Sequence, residues 1–197
     1  MKSRYLIQLK KIIVIEHLEP KVWPWCKIEY ESISQIIPKA NLWFTNINDN
    51  SKFLSKLGKV SKESVISMGL KKACILDPNA KQTLTPKEAN KFKYFIIGGI
   101  LGDYPPRKRT KEELTDKIRG IEARNLGKKQ FSTDNAVYVL KQIIQGTPLE
   151  KMKFKNKITI KINKIESVDL PYYYPLVNGK PRMSSRIITY LKNKKDF

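Results

Sequence analysis

Short apolar runs and helix-spaced apolar positions take turns along this chain. Residues 11–16 (KIIVIE) form a β-branched run, which predicts a buried strand. Residues 28–37 have helical spacing and stop at Pro38. Residues 42–46 predict a second short strand, and residues 53–68 carry mixed helical spacing with a break at Gly58. Residues 72–76 (KACIL) read as a strand that ends in the turn signal Asp77-Pro78. Thr85, Pro86 and Glu88 form a capping-box pattern, with Thr at the cap and Pro at the first helical position. Residues 94–97 (YFII) are another strand, running straight into Gly98-Gly99. Thr110 to Glu113 repeats the capping pattern. Residues 132–145 predict the clearest helix, with Ala136, Val139, Leu140, Ile143 and Ile144 on one face and a stop at Gly146 and Pro148. Residues 157–162 (KITIKI) alternate with period two, as an edge strand or late hairpin does. The tail from residue 170, rich in Tyr, Lys and Pro, predicts a surface extension.

Strand, helix, strand, helix is the order of an α/β fold: a mostly parallel sheet with helices on both faces. Ligands of such sheets bind beyond the carboxyl ends of the strands. Those ends are Glu16-His17, Asp77-Pro78, residues 98–103 and the loop at residues 126–134.

Composition narrows the class. A chain of 197 residues suits one domain with a sizeable core, and 41% hydrophobic content argues against disorder. The longest apolar run, residues 94–102, is far short of the roughly 20 residues that cross a bilayer. Lys10 and Lys11 separate the first apolar pieces and no small-residue cleavage site follows, so neither a signal peptide nor a membrane partner is expected. Cys26 and Cys74 stand far apart without a CxxC or Cys/His cluster. That spacing excludes a disulfide scaffold and a zinc finger, predicts no metal site, and fits a cytoplasmic location. The 39 Lys+Arg against 18 Asp+Glu give a net charge of +21, and 32 of the cations are Lys. Two readings stand: solvated faces of a lysine-rich composition, or residence near RNA phosphates.

Several catalytic motifs are missing. Gly98-Gly99-Ile100-Leu101-Gly102 lacks dinucleotide-fingerprint spacing, no Gly-Lys precedes Ser or Thr, and the single His17 has no nucleophile at a triad spacing. What remains is Gly98-Gly99-Ile100-Leu101-Gly102-Asp103, three glycines at the end of a buried strand, where a ligand can approach bare backbone. Tyr104-Pro105-Pro106 and the cations Arg107, Lys108 and Arg109 follow. A plain Gly/Pro turn is the alternative. Leu126-Gly127 and Gln130 lead to Ser132, Thr133 and Asp134 at a helix start, where these three cap the helix or leave its N–H groups to a ligand. Acids are scarce, yet Glu16, Asp77, Asp103 and Asp134 all fall at this end, where Asp77 and Asp134 also suit a turn and a cap.

These residues together resemble the SPOUT-class S-adenosylmethionine-dependent methyltransferases. They are most similar to the branch that holds the fungal ribosomal-protein arginine methyltransferase and archaeal proteins labelled RNA methyltransferases. The resemblance covers residues 11–171, leaving 1–10 and 172–197 as terminal extensions. It implies a C-terminal trefoil knot whose loops bind S-adenosylmethionine through backbone groups. The implied cofactor residues are Leu76, Asp77, Pro78, Gly98, Gly99, Ile100, Leu101, Gly102, Leu126, Gly127, Gln130, Ser132, Thr133 and Asp134. A guanidinium acceptor must lose a proton, for which Asp103 is the first candidate and Glu16 the second. Glu16, His17, Arg107 and Arg109 are the expected substrate contacts; the two arginines suit a cofactor carboxylate, an RNA phosphate, or solvent. The expected substrate is a ribosomal protein, met on a ribosomal subunit, with RNA contact through the basic surface. The alternatives are methylation of rRNA or tRNA, and a non-catalytic RNA- or ribosome-binding protein. Either a monomer or a homodimer fits, since Tyr172, Tyr173 and Tyr174 could cover a pairing surface.

Overall fold

The computed structural model describes residues 11–102, 105 and 107–193. The predicted N-terminal extension, residues 1–10, and Asp103 lie outside them. The first strand, β1 (Ile12–His17), has five of its six residues buried. Its neighbours are β2 (Leu42–Thr45) and β5 (Tyr94–Gly99), both parallel to it. Short β3 (Lys59–Val60), β4 (Ala73–Leu76) and β6 (Glu122–Arg124) complete a six-stranded parallel sheet of order β3-β2-β1-β5-β4-β6. Buried runs of this kind need cover on both faces. One face packs Ile13, Ile15, Phe44, Phe95 and Ile97 against α1 (Pro24–Ser34), α2 (Ser51–Leu57), α3 (Pro86–Ala89) and α4 (Thr133–Ile144). The other face packs Val14, Ile75 and Ile96 under Val65 and Leu114, the latter from a π-helical turn, Lys111–Thr115.

Local signals set several of these boundaries. Pro24 at the first position starts α1 one turn before the expected residue 28, because a missing N–H costs nothing there. The Thr85 capping box forms: Glu88 N donates to Thr85 Oγ1 at 3.2 Å and Thr85 N to Glu88 Oε2 at 3.3 Å. The second capping box does not, since Thr110 is already helical and its side chain makes no cap bond. Ser132 likewise is the N-cap of α4 without a side-chain cap bond; its hydroxyl goes to Asp134 Oδ1 instead. The expected 53–68 segment is helical only as far as Leu57. At Gly58 a Cβ would lie 2.4 Å from the Leu42 carbonyl oxygen, so the glycine lets the chain turn onto the sheet edge as β3.

The tail is not a surface extension. Strand β7 (Phe154–Lys161) pairs antiparallel with β8 (Ser167–Val177), which runs through the expected boundary at residue 171, and β9 (Lys180–Pro181) follows. Helix α5 (Ser185–Asn193) then buries Ile187 and Leu191 with Ile28, Ile160, Leu170 and Tyr174. The alternation in β8 and the i, i+4 pair in α5 are the physical reason. Among the described residues, no helix is long and apolar enough to cross a membrane, and no three His, Cys, Asp or Glu side chains gather to hold a metal ion.

Candidate active site

A cavity of about 280 Å³ opens beyond the carboxyl ends of β4, β5 and β6, close to the usual size of a small-molecule pocket. Three loops distant in sequence line it. Leu76, Asp77 and Pro78 come from the first, Gly98, Ile100 and Gly102 from the second, Leu126, Gly127 and Gln130 from the third. Thr133 and Ala136 of α4 close one side. The rim is cationic, with Arg107, Lys108, Lys128 and Lys129.

Each loop is tied down. Asp77 is buried, its Oδ1 accepting from Asn79 N at 2.8 Å and its Oδ2 from Thr115 Oγ1 at 2.7 Å. One oxygen therefore closes the turn and the other ties it to the π-helical segment. Asn125 joins the first loop to the third: its Nδ2 donates to Ala80 O at 2.8 Å and its Oδ1 accepts from Gly127 N at 2.9 Å. Glu19 holds the second loop, its Oε1 accepting from Leu101 N at 2.9 Å and from Arg109 Nη1 at 2.7 Å. Arg109 also donates to Leu18 O and Glu113 Oε1, so it lines the cavity as a brace of the loop. Strand β8 holds the remaining edges. Tyr172 Oη donates to Gly102 O at 3.0 Å and Tyr173 N to Gln130 O at 2.9 Å.

The glycines serve protein packing more than ligand approach. A Cβ on Gly99 would lie 2.3 Å from Tyr30 Oη, and one on Gly102 would lie 2.5 Å from Gln130 Nε2 and 2.7 Å from Tyr172 Oη. Their bare Cα atoms let the loops and β8 close around the cavity.

Of the residues expected at the cofactor, Gly99, Leu101, Ser132 and Asp134 do not line this cavity. Leu101 instead packs on the main core. Glu16 and His17 do not reach it either. The Glu16 carboxylate is fully buried and accepts from Thr45 Oγ1, Ser64 Oγ and Val65 N, which ties β1 to β2 and to the segment over the second face. His17 Nδ1 shares a 2.8 Å hydrogen bond with Tyr30 Oη under Gly99. Burial pulls the His17 pKa below its ordinary value, so the ring is neutral near pH 7. Cys26 and Cys74 are buried, and desolvation pushes both thiols up to about 12, which leaves them without nucleophilic character.

Behind Thr133 lies a polar cluster. Asp134 Oδ2 accepts from Arg182 Nη1 and from Ser32 Oγ, each at 2.8 Å, and Arg182 also donates to Asn135 Oδ1 and Ser32 Oγ. Glu29, on the buried face of α1, accepts from Trp25 Nε1 at 2.9 Å, and the neighbouring polar groups of Thr133 favour its ionised form. Burial first, and then the charge of Asp134, pushes the Glu29 carboxyl up to about 8. Sequence patterning alone does not single out Glu29. Its one signal there is an acid between Ile28 and Tyr30 on an otherwise core-facing helix stretch.

Known proteins share this fold. A family model described as protein arginine N-methyltransferase SFM1-like matches residues 12–196. The protein arginine N-methyltransferase SFM1 of Saccharomyces cerevisiae is 34% identical over 91% of this chain and 93% of its own length. The crystal structure of yeast SFM1 with SAM has a TM-score of 0.83 at 32% identity, covering 92% of this chain and 90% of that one. The SAH complex has a TM-score of 0.84 at 30% identity, covering 97% and 100%. A Trm10 from Thermococcus kodakaraensis shares the fold, with a TM-score of 0.52 at 19% identity over 72% of this chain and 96% of its own. With nearly the whole length matched, sheet, loops and tail included, the chain belongs to the SFM1-like family of protein arginine N-methyltransferases.

Proposed function

We propose that this protein transfers the methyl group of S-adenosylmethionine to an arginine of a ribosomal protein. The observation that carries this reading is the convergence of three loops on one cavity with an apolar wall and a cationic rim. Leu76, Ile97, Ile100 and Leu126 offer that wall to the adenine. Lys108, Lys128 and Lys129 offer charge to the carboxylate of the amino-acid part. The bound cofactor supplies an electrophilic methyl on a sulfonium. The trefoil knot belongs to the same reading: α4 follows β6 at the sheet edge yet packs back on β5 and α1.

The protein's own task is to orient a guanidinium and take its proton, because a cation with a pKa above about 12 has no free lone pair to attack with. Glu16 is held by three donors in its buried position. Asp103 keeps its place on sequence grounds. Glu29 joins it from behind the wall: it lies outside the cavity lining, in a small cleft with Trp25, Ser132 and Asp134 next to the wall residue Thr133, and burial raises its carboxyl. The clustering of Arg107, Lys108, Lys128 and Lys129 at the rim favours one second reading, an RNA acceptor. Incubation with methyl-labelled cofactor and ribosomal subunits separates the two. Label on arginine in a protein, resistant to ribonuclease, is the expected result; label in RNA alone overturns the proposal.

A further inference from the structure

A second depression, of about 700 Å³, lies at the opposite end of the sheet from the cofactor cavity, where β4 begins at Ala73 and β6 at Glu122. Five cations line it: Lys71, Lys72, Lys91, Lys117 and Arg119, all exposed. None of the five has an ion pair among the described residues. Its one acid, Glu122, is already paired with Arg124 Nη2. The charge is therefore uncompensated, and what sets these cations apart from other exposed lysines is that five of them face one concave surface. Between the cations the surface is apolar, with Ile118, Ile121 and Ile66, the last 40% exposed.

The backbone sets where the chain carrying these cations turns. Lys72 is held at φ 55°, a left-handed conformation unfavourable to a side-chain-bearing residue, while its carbonyl accepts from Lys93 N at 2.7 Å. Gly69 and Gly120 turn the flanking chain at positive φ.

We infer that this basic groove binds the phosphate–ribose backbone of an RNA strand, with phosphates on the lysine rim and ribose faces on the isoleucines. Phosphates are the partners that a row of unpaired cations selects, whatever the base sequence. No aromatic side chain is exposed in the groove, so base stacking is not part of the recognition. The choice of RNA over another polyanion rests on the ribosomal substrate proposed above. The groove would hold the enzyme on an RNA-rich particle while its cofactor cavity, at the other end of the sheet, stays free.

The test reads binding and needs no cofactor. A fluorescein-labelled mixed-sequence RNA of about 12 nucleotides is titrated with the wild-type chain, with the triple variant Lys71→Glu, Lys117→Glu, Arg119→Glu, and with a control of equal charge change off the groove, Lys52→Glu, Lys56→Glu, Lys62→Glu. Thermal melts establish that all three chains are folded. The groove variant is expected to bind roughly tenfold or more weakly at about 0.1 M salt. Its slope of log affinity against log salt is expected to fall by about 0.7 for each phosphate that the groove no longer neutralises. The control is expected to stay within about threefold of wild type. Equal losses in both variants would assign the attraction to diffuse net charge and overturn the proposal. So would competition by poly-glutamate as strong as that by unlabelled RNA, which would point to an acidic protein partner. A chain that binds RNA through the groove but transfers no methyl group leaves this inference standing and removes only the catalytic one.

Discussion

Glu29 is an acid on the buried face of α1. A carboxylate in water ionises near 4.5; here burial and the neighbouring Asp134 raise that to about 8. The folded chain therefore binds more protons than the unfolded one between these two values. The stability contributed by the protonated group is complete below about 4.5 and is lost as pH rises through about 8. Replacement by Gln removes this dependence, so thermal melts of Glu29→Gln should gain on wild type as pH rises across that window. The same group sets a kinetic expectation. If Glu29 takes the proton, the single-turnover rate of wild type climbs through pH about 8 to a plateau. Glu29→Gln then loses about 10²–10⁴-fold in rate together with that limb. A variant that retains the limb would return the role to Asp103.

At the scale of elements, the cavity depends on braces that come from outside its own loops. Glu19 lies in the connection after β1, yet it fixes both Leu101 N and Arg109. Glu19→Ala leaves a partly buried guanidinium with one fewer partner and the second loop without its anchor. Calorimetry should show weaker cofactor binding by roughly tenfold, with a smaller change in kcat at saturating cofactor. An unchanged affinity would mean that the loop holds its shape without Glu19. Strand β8 acts on the same loops from the other side, through Tyr172 and Tyr173. The sequence foreshadows little of this. Residues 11–16, 72–76 and 94–97 are legible as buried strands because a run of β-branched and aromatic residues can be hidden only between two covering layers. The tail reads as a surface feature because Tyr, Lys and Pro have no single preferred depth; their burial is decided by what lies beneath them.

For the molecule as a whole, charge is spread unevenly around the sheet. Cations gather at both ends, around the cofactor cavity and in the groove opposite, while four acids, Glu16, Glu29, Asp77 and Asp134, are buried inside. A cation-rimmed cavity attracts an anionic ligand group from solution. Because the cavity exists only when all three loops are in place, ligand binding is linked to global folding. S-adenosylmethionine at about 100 times its Kd should add about 2.7 kcal/mol to the unfolding free energy. A melt that does not shift with cofactor would contradict the assignment of the cavity.

The amino-acid order by itself determined that residues 11–16, 72–76 and 94–97 are buried strands and that they belong to a mostly parallel sheet with ligand-binding loops at its carboxyl end. Those properties follow from local runs and their spacing, which act within a few residues. Tertiary packing decided the rest. It joined Ser32 to Asp134 and Arg182 across separations of 102 and 150 residues. It turned Glu16 into a buried tie, raised Glu29, and gave Gly99 and Gly102 their reason in a side chain lying 2.3–2.5 Å from a missing Cβ. A side chain's titration and its hydrogen-bond partners depend on what surrounds it in space, and for these residues the surroundings come from distant parts of the chain.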